Sequence, residues 1–162
     1  MWGQSEVTKF AEKHHLNEGA KMDLKKIFDN FVTKSRRRVT VRVPATTANM
    51  GPGFDCAGMA LDVWNELTVE RASTFSIEIE GEGSRQLPRD KSNLVVKGVE
   101  AAYKYIEKEV PILRYWTLNR IPFAKGMGSS SAAIVSGILA GLALAGFNLQ
   151  VKNEEELLQI AT

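Results

Sequence analysis

The strongest constraint on this chain is the run 132–147, Ala-Ala-Ile-Val-Ser-Gly-Ile-Leu-Ala-Gly-Leu-Ala-Leu-Ala-Gly-Phe, which carries no charge. A helix that is apolar on every side has to be buried, either in protein or in lipid. At 1.5 Å per residue the run reaches about 24 Å, short of the roughly 30 Å hydrocarbon core of a bilayer. Neither end carries an aromatic belt or a basic flank on one side only. The pattern therefore predicts the buried central helix of a globular domain, with Gly137 and Gly141 allowing close approach by a neighbour.

The residues leading into that helix are Pro122, Phe123, Ala124, Lys125, Gly126, Met127, Gly128, Ser129, Ser130, Ser131 and Ala132. Gly126 and Gly128 let the backbone turn tightly and present its N–H groups without obstruction. The helix that follows leaves its first N–H groups unpaired and points its positive dipole end into the turn. This combination makes an anion site, and phosphate is the anion most often held this way. A helix dipole contributes only about 0.3–1 kcal/mol, so affinity has to come from several N–H and hydroxyl contacts together. A plain loop and helix cap is the competing reading of the same residues.

The chain has 162 residues, enough for one domain with a real core. Its net charge of +2, from 21 basic and 19 acidic residues, points to neither nucleic acid nor a membrane surface. A lone cysteine, Cys56, excludes an internal disulfide framework and a cysteine metal cluster. The adjacent His14 and His15 lack metal spacing on a helix. No signal-peptide core is visible at the N-terminus, and its acidic residues argue against a transit peptide. A reducing, cytoplasmic setting is the default, or a plastid if the source is plant-like.

Residues 1–38 read as a partly helical extension. Leu24, Ile27, Phe28 and Phe31 fall at helical spacing, and Arg36, Arg37 and Arg38 follow at its end. Val39 to Val43 alternates as a strand that Pro44 should stop. The loop from Pro44 to Gly58 combines prolines and glycines with Asn49 and Asp55, which suits a shaped surface for a ligand. Leu61 to Glu70 and Phe75 to Ile79 alternate as two strands, predicted to pair as a hairpin through Ala72 and Ser73. Asn93 to Glu109 reads as an amphipathic helix ended by Pro111, and Trp116 to Ile121 as a further strand. A last helix begins at Asn153. Strands first, then strand and helix mixed, predicts an α+β fold.

The glycine–serine stretch is not a Walker A motif. Pro-x-x-x-Gly-x-Gly-Ser-Ser-Ser-Ala-Ala resembles the second motif of the superfamily of galactokinase, homoserine kinase, mevalonate kinase and phosphomevalonate kinase. Pro44-Ala-Thr-Thr-Ala-Asn-Met-Gly-Pro-Gly-Phe-Asp55 resembles the first motif of the homoserine kinases within it. The resemblance covers about residues 39–162 and implies a truncated ATP-binding domain. Its fold would be the amino-terminal half of the GHMP-kinase fold, of the ribosomal protein S5 domain 2-like type, with a mixed sheet packed on helices. The implied reaction is phosphoryl transfer from ATP to the side-chain hydroxyl of L-homoserine, in threonine biosynthesis.

Carried over by residue, the resemblance implies that Asn49 and Asp55 hold the substrate. Pro122, Phe123, Ala124, Lys125, Gly126, Met127, Gly128, Ser129, Ser130, Ser131 and Ala132 would wrap the nucleotide. Ser130 would approach Mg²⁺ and Asn93 would lie near the adenine. No residue is expected to act as a catalytic base, because phosphoryl transfer is served by positioning and charge stabilisation. Members of the family are longer, with a second domain, a third glycine-rich motif and a Mg²⁺-binding glutamate. The expectation is an amino-terminal portion without turnover of its own, with neither nucleic acid nor membrane as partner and with homo-oligomerisation left open. Two alternatives remain open at this level. One is another small-molecule kinase of the superfamily, with mevalonate or shikimate as acceptor; the other is a nucleotide-binding fragment without catalysis.

Overall fold

The computed structural model describes residues 35–48, 50–51, 56–123 and 125–147. The helices expected near residue 24 and from Asn153, together with Asn49, Asp55 and Ala124, lie outside the described residues. The elements are β1 (Arg38–Thr47), β2 (Met59–Arg71), β3 (Ser76–Gly81), α1 (Leu94–Tyr105), β4 (Leu113–Asn119) and α2 (Ser129–Leu144). The four strands form one mixed sheet in the order β1-β2-β4-β3. β1 and β4 are both antiparallel to β2, whereas β3 runs parallel to β4. The α+β reading holds.

Alternation decides which side of the sheet is covered. Val39, Leu67, Val69, Ile77, Ile79, Leu113 and Tyr115 form the buried side with residues of both helices. α2 lies over β1 and β2 and packs along α1. Among the described residues, no helix is long and apolar enough to cross a membrane. The other side of the sheet is polar. Arg38 and Arg114 stack on Trp116, Arg42 stacks on Trp64, and the Thr40 and Thr68 hydroxyls share a hydrogen bond of 2.8 Å.

Three expectations need correction. Pro44 does not stop β1, which continues to Thr47. β1 is the edge of the described sheet, where a missing N–H is tolerated. The strand also shifts register between Pro44 and Ala45, with Asp62 and Val63 as the extra residues opposite. The second correction concerns the hairpin: β4 lies between β2 and β3, so these consecutive strands are not neighbours. Ala72-Ser73 lacks the Gly or Asn that a tight hairpin turn requires, and the β3–α1–β4 crossover fills the place beside β2 instead.

The third is a set of boundaries. α1 ends before Pro111, with Ile106 as its cap and Glu107 at φ 54°. β4 stops at Asn119, leaving Ile121 outside the ladder. α2 starts within the serines rather than after them.

One buried hydroxyl gives a direct test of the packing. The Tyr103 hydroxyl has no hydrogen-bond partner among the described residues. Burial pushes its phenol up, and the nearby Arg71 guanidinium opposes that shift without meeting hydrogen-bond geometry. Tyr103→Phe removes an unpaired polar atom, so stability should stay the same or rise by up to about 1 kcal/mol in urea unfolding. A loss of more than about 1 kcal/mol would mean that the hydroxyl has a partner.

Candidate functional site

Residues 120–128 lie between β4 and α2, and two of their glycines take the left-handed backbone conformation. Gly126 has φ 72° and Gly128 has φ 71°. The Thr46 N–H, at the end of β1, donates to the Met127 carbonyl at 3.1 Å and ties the segment to the sheet. A side chain at Gly128 would run into the Thr46 hydroxyl, whereas the corresponding space at Gly126 is open. The loop is thus held on its Gly128 side and open on its Gly126 side.

α2 follows directly. The Ala132 N–H donates to the Gly128 carbonyl at 2.8 Å, the first bond of the helix. The N–H groups of Ser129, Ser130 and Ser131 precede that bond, and Gly128 provides no side-chain cap. Ser129 is half-buried, while Ser130 and Ser131 are exposed. Uncapped donors at the positive end of a sixteen-residue helix favour an anion.

The start of α1 faces the same cavity. Asn93, Leu94, Phe123, Ser129, Ser130 and Ala133 are among its walls. Asn93 is 5% exposed and caps α1. Its Oδ1 accepts the Val95 N–H at 3.1 Å, and its Nδ2 donates to the Pro88 carbonyl at 2.7 Å. The turn before it is closed by Asp90, whose Oδ1 accepts the Ser92 N–H at 2.8 Å and the Ser92 hydroxyl at 2.6 Å. These bonds from Ser92 hold the Asp90 carboxyl below its ordinary value. Two helix N-termini therefore open onto one cavity, whose walls combine apolar side chains with serine hydroxyls.

The sequence pattern of the GHMP kinases N terminal domain matches residues 93–162, which take in α1, β4, the loop and α2. Homoserine kinase from Corynebacterium aurimucosum is 46% identical over 126 residues, covering 77% of this chain and 40% of that protein. Homoserine kinase from Desulfitobacterium hafniense is 44% identical over 123 residues, covering 76% of this chain and 40% of that protein. The crystal structure of homoserine kinase from Cytophaga hutchinsonii matches the fold with a TM-score of 0.64 at 27% identity, over 81% of this chain and 42% of that one. The chain belongs to the GHMP kinases. It spans about 40% of the length of the curated relatives it matches.

In this GHMP kinase domain the residues expected at the site do not all sit in the cavity wall. Phe123, Ser129, Ser130 and Asn93 line the cavity, and Lys125, Gly126 and Ser131 are exposed beside it. Pro122 is half-buried at the loop entry. Ala132 is an anchor rather than a wall, buried with Ala45 and Ile121 in a small second core against which Met127 packs. Asn93 is engaged on both side-chain atoms in building α1, so its contribution is first to the shape of the cavity.

Two residues of the site were not picked out from the sequence. Thr46 holds the Met127 carbonyl, and Asn65 on β2 lines the cavity. The available signal for Asn65 was an amide inside an otherwise regular strand, where asparagine is unfavourable. Among the described residues no cluster of three His, Cys, Asp or Glu side chains could hold a metal ion. The exposed Ser130 hydroxyl is an oxygen donor of the kind a hard cation takes.

Proposed function

We propose that residues 39–162 form the ATP-binding domain of a homoserine kinase, which transfers the γ-phosphoryl group of ATP to the side-chain hydroxyl of L-homoserine. The observation that carries this reading is the loop of Gly126 and Gly128, tied to Thr46 and opening onto the uncapped start of α2. The 46% identity to a homoserine kinase supports the choice of acceptor over others in the superfamily.

In this reading the N–H groups at 126–131 and the serine hydroxyls bind the phosphate chain, and Lys125 adds positive charge at its edge. The base lies in the cavity between the starts of α1 and α2. Asp55 pairs with the ammonium of the amino acid, and Asn49 donates and accepts beside it. The homoserine oxygen forms the new bond to phosphorus as the bond to ADP breaks, and the hydroxyl proton passes to solvent. Ser130 is the residue that would hold Mg²⁺, whose charge would offset that of the phosphates. The setting is cytoplasmic.

Titration of the chain with a non-hydrolysable ATP analogue and Mg²⁺, followed by calorimetry and by amide NMR spectra, tests the reading. Saturable binding is expected, with shifts confined to the amides of residues 126–131 and the cavity walls. Added homoserine should tighten it, while mevalonate and shikimate should not. A folded chain with no saturable binding would remove the nucleotide site. Tightening by mevalonate instead would reassign the acceptor.

A further inference from the structure

The ladder between β2 and β4 runs from Arg71 opposite Leu113 to Glu66 opposite Leu118. Beyond it the chain leaves the sheet toward the glycine loop, and two successive N–H groups lose their strand partner. Asn65 takes both. Its Oδ1 accepts the Arg120 N–H at 2.8 Å and the Ile121 N–H at 2.9 Å. Asn65 is 7% exposed and Ile121 is fully buried, so water cannot readily replace that oxygen at the Ile121 N–H, whereas Arg120 is exposed. One carboxamide oxygen thus replaces the ladder where β4 peels away.

The geometry connects this point with the far end of the loop. Ile121 at the entry and Ala132 at the exit are buried together with Ala45, and Met127 packs against the same small core. The Thr46 N–H holds the Met127 carbonyl between them. Entry, middle and exit of the loop are therefore referred to the β1–β2 end of the sheet. The entry depends on Asn65, which also lines the cavity beside Ser129 and Ser130.

We propose that Asn65 is a positioning residue for the phosphate loop: its side-chain oxygen fixes residues 120–121, and through them the loop at 126–131. This rests on the nucleotide-site reading for its effect on affinity, but its effect on the loop is measured independently. The experiment compares the unsubstituted full chain with Asn65→Leu, which keeps similar volume without the oxygen, and Asn65→Asp, which keeps the oxygen. Amide hydrogen exchange and titration with the ATP analogue are measured on each.

In the unsubstituted chain the Arg120 and Ile121 amides should be protected like those of the β4 ladder. In Asn65→Leu these amides and those of 126–131 should exchange faster, while Val69 and Tyr115 stay protected. Affinity for the analogue should fall on the order of tenfold or more. Asn65→Asp should restore protection at 120–121 and 126–131. A merely structural role would instead lower protection throughout the core together with the melting temperature.

Fast exchange of Arg120 and Ile121 in the unsubstituted chain overturns the proposal without any variant, and so decides the case if Asn65→Leu does not fold. Unchanged exchange at 126–131 in a folded Asn65→Leu also overturns it. If the unsubstituted chain binds no analogue, the nucleotide reading fails, and the exchange at 126–131 still decides the role of Asn65.

Discussion

Gly128→Val is expected to leave a folded chain that no longer binds nucleotide at concentrations saturating the unsubstituted protein. Gly128 has φ 71° and ψ 21°, a conformation that costs an L-residue about 1–2 kcal/mol and a β-branched one more. The added Cβ would also overlap the Thr46 hydroxyl and lie 3.3 Å from the Thr46 carbonyl oxygen. Overpacking of this kind costs about 1–3 kcal/mol. The cheapest relief is for the loop to swing off Thr46, which moves the N–H groups that would face phosphate. At about 1.4 kcal/mol per tenfold, the combined cost corresponds to a loss of roughly a hundredfold or more in affinity.

Gly126→Ala is the comparison. Its φ is also positive, but nothing lies within 4 Å of the new Cβ, so only the dihedral cost of about 1–2 kcal/mol remains. Calorimetric titration should therefore rank Gly126→Ala near tenfold and Gly128→Val far beyond it. Equal, unweakened binding by both would show that the loop does not carry the phosphates.

The second large effect lies at the helix crossing. Gly137→Ala should destabilise the fold, although alanine is worth about 1 kcal/mol more than glycine in a helix interior. A Cβ at Gly137 would overlap the Val95 carbonyl oxygen and stand 3.0 Å from the Gly98 Cα. Gly98 is in the mirrored position, with the Ile134 carbonyl oxygen and the Gly137 Cα facing its own missing Cβ. These are backbone atoms, so no side-chain rotamer change relieves them, and the helices have to separate. The packing loss should exceed the propensity gain, giving a net cost of about 2 kcal/mol for Gly137→Ala and more for Gly137→Val. Urea unfolding midpoints measure both. Combining Gly98→Ala with Gly137→Ala should cost less than the sum, because the first substitution already separates the helices. Stabilisation by Gly137→Ala would show that the two helices have room to spare.

The same crossing shows what could be read from residues 132–147 and what could not. Their lack of charge required burial all round, and Gly137 and Gly141 announced a close neighbour. That the neighbour is α1, meeting α2 at Gly98, is a contact between segments some forty residues apart. No local periodicity encodes it. The strands divide likewise. Alternation in Leu61 to Glu70 and in Phe75 to Ile79 identified β2 and β3, yet pairing them as a hairpin was wrong. Alternation says which side chains share a face but not which strand lies alongside.

The site was legible in proportion to how much of its chemistry is carried by backbone. Gly126 and Gly128 stand out in a sequence because few residues adopt positive φ, and both adopt it here. Asn65 does not stand out, because its role depends on where β4 leaves the sheet. Asn93 could be singled out by motif, but its two side-chain bonds in the α1 cap appear only once Pro88 and Val95 are in place.

By itself, the sequence determined that a buried apolar helix follows a glycine–serine turn, that alternating strands precede it, and that the fold is α+β. These are consequences of local chemistry: positive φ at glycine, the strand period of two, and the demand of an uncharged helix for cover. The tertiary structure decided the strand order, the meeting of two helix N-termini at one cavity, and the attachment of the loop to Thr46 and Asn65. Those features depend on hydrogen bonds and packing between distant segments, whose partners become available to one another only when the chain is folded.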